Sequence, residues 1–155
     1  MSDLLGLRLG PRRGCRRALG GLALYALGCE LEGHDPEAAA EAYRKATLAR
    51  PGLSDAHNNL GRLRHQAGRF AEAEACYRAA IAADDKRGLY HYNLGVALED
   101  LSSPDAAKAA YEAALERDPT IAEVHFNLAG LLEKAGAIRE AVRHLAQYRA
   151  LRRVG

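Results

Sequence analysis

No apolar run in this chain is long enough to span a bilayer, which removes the membrane-spanning helix from consideration. Cysteine is scarce: Cys15, Cys29 and Cys76 are odd in number and lack metal-ligand spacing, so they read as reduced thiols rather than a disulfide framework. Charge of one sign is missing as well. A net charge of +2 with 27% charged residues lacks the basic excess of a dedicated nucleic-acid binder. Catalytic patterns are equally absent, with no Ser-His-Asp arrangement, no glycine-rich phosphate loop and no paired catalytic carboxylates. Acids such as Glu37, Glu41, Glu72 and Glu74 read as solvated helix faces. The expectation is a protein that is not an enzyme and carries no cofactor or metal.

What the chain does have is a period of 34 residues. Tyr43, Tyr77 and Tyr111 are each 34 apart, and the same step links Ala39, Ala73, Ala107 and Ala141. Leu60, Leu94 and Leu128 share it, as do Asn59, Asn93 and Asn127, and His57, His91 and His125. Five columns with one period mark an array of a single small unit. Each unit reads as two helices, because apolar or small residues recur at spacings of three and four. Gly68 and Gly136 stand where the chain must reverse, a place where glycine accepts positive φ at no steric cost. Asp35-Pro36-Glu37 and Ser103-Pro104-Asp105 each offer a capping side chain, a proline at the first helical position and an acid in the first turn. Pro51 and Pro119 stop the helices that precede them.

These residues resemble the tetratricopeptide repeat, a 34-residue helix-turn-helix unit. The second unit supplies His57, Leu60-Gly61, Arg64, Gly68, Ala73, Tyr77 and Ala80, with Asp85 in place of the proline. The third supplies His91, Leu94-Gly95, Leu98, Ala107, Tyr111, Ala114 and Pro119. In the fourth, Ala129 and Tyr148 change two small positions and Leu145 stands at the aromatic one, so its last helix should pack differently. In the first, Ala39, Tyr43, Ala46 and Pro51 keep register but Leu27-Gly28 is displaced by one residue, implying a deletion before Asp35. The resemblance implies an all-α fold, a right-handed superhelix of stacked antiparallel helix pairs (an α-solenoid) with repeats at about 21–53, 54–87, 88–121 and 122–155. Residues 1–20, with Arg8, Arg12, Arg13, Arg16 and Arg17 among glycines, are expected to be poorly ordered. Leu22 to Leu31 are expected to form the first helix, burying Ala23, Leu27 and Leu31.

The family binds other polypeptides in the concave groove lined by the first helices, which implies an interaction adaptor. Carried over position by position, the peptide-binding residues are Asn59, Asn93, Asn127, Tyr92, Phe126, Arg62, Glu99 and Glu133. The asparagines form a ladder in this reading, each carboxamide able to bond both C=O and N–H of a bound chain; the alternative is a solvated surface residue. Tyr92 and Phe126 offer apolar area to a partner side chain, or pack between neighbouring first helices. Arg62 makes the near part of the groove basic, while Glu99, Asp100 and Glu133 make the far part acidic, which suits a partner segment of basic character. The co-chaperone carboxylate clamp is not reproduced, since only Lys134 remains of its cations. The three histidines cannot share a metal ion, because stacked helix axes lie roughly 8–10 Å apart; they are expected to be core or half-buried fillers.

Other placements of such an array are a tetratricopeptide lipoprotein of the cell envelope, the C-terminal module of a MerR-type transcription regulator, or the recruiting part of a glycosyltransferase system. Arg16-Arg17, a short apolar stretch and Cys29 have the layout of a signal peptide with a lipidation site, but the stretch is broken by glycine. The expectation is a cytoplasmic protein with a protein or peptide partner, no nucleic acid bound by this chain alone, and no membrane contact unless Cys29 is lipidated. The face of the fourth unit is a candidate for self-association.

Overall fold

A computed structural model describes residues 13–153, with side chains from Gly20 onward. The described residues form eight helices: α1 (Arg13–Leu31), α2 (Pro36–Ala49), α3 (Ser54–Gln66), α4 (Phe70–Ala83), α5 (Gly88–Asp100), α6 (Pro104–Arg117), α7 (Ala122–Lys134) and α8 (Ile138–Arg152). Among the described residues there is no strand, and no helix is long and apolar enough to cross a membrane. Consecutive helices pair as hairpins, and each even-numbered helix then packs on the odd-numbered helix that follows. The fold is therefore an all-α solenoid of four units, as the repeat implies.

The packing rule is glycine against tyrosine. A Cβ built on Gly28, Gly61 or Gly95 would fall less than 3.0 Å from the ring of Tyr43, Tyr77 or Tyr111. Only glycine lets the two helices of a hairpin close over these rings, all of which are buried. Each buried ring contributes on the order of 2 kcal/mol of hydrophobic stabilisation. Gly28 occupies the same place as Gly61 and Gly95 despite standing one residue out of step, so the deletion in the first unit lies between Gly28 and Asp35. The structure identifies what is lost. Gly68, Gly136 and Ser102 each close a hairpin turn with positive φ, at 73°, 79° and 54°, and among the described residues of the first unit no such residue exists.

Helix ends follow partly from the expected caps. Asp35 accepts a hydrogen bond from the Ala38 amide at 3.0 Å, and Pro36 and Pro104 open α2 and α6. Ser103, expected to cap α6, does not. Its hydroxyl donates instead to the Leu101 carbonyl at 3.5 Å, because the preceding Ser102 has already turned the chain into the left-handed region.

Helix α1 begins at Arg13, ahead of Leu22, where the first helix was expected to start; of the stretch 1–20 expected to be poorly ordered, residues 1–12 lie outside the described residues. Of the face expected to be buried, Leu31 turns inward but Ala23 and Leu27 do not. Ala23 and Leu27 are exposed, whereas Gly21 and Gly28 are buried and Tyr25 and Leu31 pack against the core around Tyr43. Glycine at positions 21 and 28 draws α2 to that side: a Cβ at Gly21 would meet Arg50.

Candidate functional site

The first helices α3, α5 and α7 present the positions predicted to line the groove. In the near part, from the first unit to the third, these side chains bond one another or side chains of the preceding unit. Asn93 Nδ2 donates to Asn58 Oδ1 at 2.9 Å, and the Tyr90 hydroxyl donates to Asp55 at 2.6 Å. Asn59 donates to the Tyr43 hydroxyl at 3.3 Å, and that hydroxyl donates in turn to Cys29 Sγ at 3.4 Å. Arg62 pairs with Glu32, and His65 donates to Asp100 at 2.7 Å. The basic near end is thus neutralised from within, and Asp100 is drawn out of the acidic far end.

The asparagine ladder is accordingly not uniform. Asn59 and Asn127 both donate to the tyrosine 16 residues earlier, Asn127 to Tyr111 at 3.0 Å. Asn93 does not bond Tyr77. The reason lies one residue away: Asn58 stands where the later units have Tyr92 and Phe126, and its short buried carboxamide captures Asn93 across the seam. Sequence reasoning missed this role of Asn58. The available signal was that this column alone mixes a carboxamide with two aromatic rings.

The far part is open. Glu99, Phe126, Asn127, Ala129, Gly130, Glu133, Lys134 and Leu145 surround a cavity of about 380 Å³. Four of the predicted site residues, Glu99, Phe126, Asn127 and Glu133, meet there, supplied by α5 and α7, while Leu145 of α8 forms a wall. Phe126 is 55% exposed and rests against the Tyr148 ring at 5.3 Å between centroids, so it packs on α8 rather than between first helices. Tyr92 behaves differently: it is half-buried on the core beside Tyr111, with 6.1 Å between centroids. Glu99 is held in place by the Tyr111 hydroxyl, which donates to it at 2.5 Å. Burial, and then that bond to a carboxylate, push the Tyr111 hydroxyl well above its usual pKa, so it remains a donor.

A larger recess of about 500 Å³ lies between α4 and α6, but alanines and aliphatic side chains make up most of its lining. It lacks the convergent polar groups that orient a ligand. The histidine column serves the turns. His57 Nε2 donates to the Pro51 carbonyl at 2.9 Å and His91 Nε2 to that of Asp85 at 3.3 Å, fastening each inter-unit turn to the helix after it. His125 adds a second contact, Nδ1 to Nδ1 of His144 at 2.9 Å. Burial lowers the pKa of His91, His125 and His144.

A sequence profile for the tetratricopeptide repeat matches residues 30–88 and 92–153. A search of curated protein sequences finds no match. Solved structures with a similar fold include MamA, with a TM-score of 0.81 at 21% identity over 86% of this chain and 78% of that one. YrrB, described as a protein with an unusual peptide-binding site, gives 0.76 at 22% identity over 84% and 68%. The first tetratricopeptide domain of Spaghetti (RPAP3), solved bound to the HSP90 peptide SRMEEVD, gives 0.73 at 22% identity over 77% and 95%. Periodicity, glycine-tyrosine packing, hairpin stacking and the matching profile agree: the chain belongs to the tetratricopeptide repeat family.

Proposed function

We propose that this protein is a non-enzymatic interaction adaptor that holds a polypeptide segment at the far end of its concave groove. The observation that carries this reading is the cavity of about 380 Å³ where an exposed ring, a carboxamide and two carboxylates converge. Phe126 takes an apolar side chain, the Asn127 carboxamide bonds the partner's backbone, and Glu99 and Glu133 attract a basic residue. Similar folds bind peptides, as the RPAP3 and YrrB structures record. The peptide SRMEEVD bound by RPAP3 is rich in acids, whereas the carboxylates here would repel such a ligand, so the partner differs in charge. A cytoplasmic location goes with this reading. It is supported by α1, which runs without a break across Cys29 to Leu31 and packs Gly28 on Tyr43, so cleavage there would unmake the first hairpin.

The test is capture on immobilised protein followed by mass spectrometry, comparing the wild type with Phe126→Ala/Glu133→Lys and with Asn59→Ala. A protein held by the wild type and by Asn59→Ala but lost from the double variant supports the far-end site. Equal capture by all three, with circular dichroism showing them folded, refutes it.

A further inference from the structure

From α2 to α6 most cations sit beside a carboxylate: Arg44 with Glu41, Arg69 with Glu72, Arg78 with Glu74, Lys108 with Glu112. Helix α8 departs from this pattern. Among the described residues Arg139, Arg143, Arg149 and Arg153 make no ion pair, and only Arg152 approaches an acid, Glu123 at 4.0 Å. The same helix buries only Ala141 completely and leaves Ile138 and Val142 54% and 59% exposed. Spacings of four and seven put Ile138, Val142, Arg149 and Arg153 on one side of it.

The repeat shows what that side faces. Ile138, Arg139 and Val142 stand 34 residues after Pro104, Asp105 and Lys108, which border a cavity of about 440 Å³ against Leu131, Leu132 and Ala135 of the next unit. Pro36, Glu37 and Ala40 border the corresponding recess against Leu63 and Ala67. Arg149 stands 34 after Leu115, which packs on the apolar core shared by successive units. These positions form the seam at which one unit receives the first helix of the next, and on α8 no helix among the described residues covers it.

We infer that α8 docks an amphipathic helix of a partner protein, with aliphatic side chains over Ile138 and Val142 and carboxylates facing Arg139, Arg143 and Arg149. The seam supplies the helix-on-helix geometry, and the unpaired arginines supply the sign. Charge argues against a second copy of this chain, whose first helix opens with Arg13, Arg16 and Arg17. A nucleic acid would satisfy the arginines but hold Ile138 and Val142 against a hydrated phosphate backbone, with no apolar surface to cover them. Ile138, Arg139, Val142, Arg143 and Arg149 are not among the residues that line the groove cavity, so either reading stands if the other fails.

The test is fluorescence anisotropy with a labelled synthetic helix carrying leucine on one face and glutamate on its flanks. The expected result is saturable binding that weakens as salt rises and drops at least tenfold with Val142→Glu and with Arg149→Glu. In addition, Arg149→Glu should gain affinity for a leucine-lysine helix. Several results would overturn the proposal: no saturable binding, equal binding by both α8 variants, tighter binding of duplex DNA or phosphatidylglycerol vesicles, or self-association that Val142→Glu abolishes.

Discussion

Alanine placed at two glycines of this chain should move stability in opposite directions. At Gly95 the new Cβ would lie within 3.0 Å of three ring atoms of Tyr111. The ring cannot retreat easily, because its hydroxyl is bonded at both ends, to Glu99 at 2.5 Å and to Asn127 at 3.0 Å. Overpacking of this kind costs about 1–3 kcal/mol, against which the better helix propensity of alanine returns about 0.5–1 kcal/mol. The net effect is a loss of about 1–2 kcal/mol. Gly130 is also inside a helix, yet a Cβ there meets nothing within 4 Å, so Gly130→Ala keeps the propensity gain of about 0.5–1 kcal/mol. The sequence contains its own control: 34 residues after Gly95 stands Ala129, and 34 after Tyr111 stands Leu145, so alanine is tolerated where the ring is absent. Gly95→Ala/Tyr111→Leu should therefore recover part of the loss, a coupling that a double-mutant cycle measures. Urea unfolding followed at 222 nm gives the stabilities of the wild type, Gly95→Ala, Gly130→Ala, Tyr111→Leu and the double variant, and melting should shift by about 2–4 °C per kcal/mol. A Gly95→Ala variant as stable as the wild type, or both single variants moving the same way, would refute the close approach of α5 and α6.

Ser102→Gly should raise the urea midpoint by the equivalent of about 0.5–1 kcal/mol, since a φ of 54° is strained for serine and free for glycine; an unchanged or lower midpoint contradicts the strain. His125 and His144 have lowered pKa values in the folded state, so their contribution is complete above the unfolded value of about 6.5 and is lost as pH falls from there through the folded values. Stability measured across that interval should decline less steeply in His144→Ala, and identical slopes would dismiss the pair as the cause.

The backbone of this molecule was largely legible in the sequence because a fixed period reports equivalent backbone positions. Tyr77 and Tyr111 meet Gly61 and Gly95 in the same way, and the one-residue offset at Gly28 corresponds to a turn without its left-handed residue. Side-chain partners were less legible, because a partner comes from a neighbouring column and not from the residue's own. Asn59 and Asn127 share an environment, while Asn93 is diverted by Asn58. Ser103 loses its cap to the conformation of Ser102, and on α8, which pairs with α7 as the other hairpins pair, Ile138 and Val142 remain exposed. The column at 58, 92 and 126 therefore decides where the groove is open. A small carboxamide at 58 bonds Asn93 of the next first helix across the seam, whereas the equivalent position before Asn127 is Tyr92, packed beside Tyr111, and Asn127 borders the open cavity.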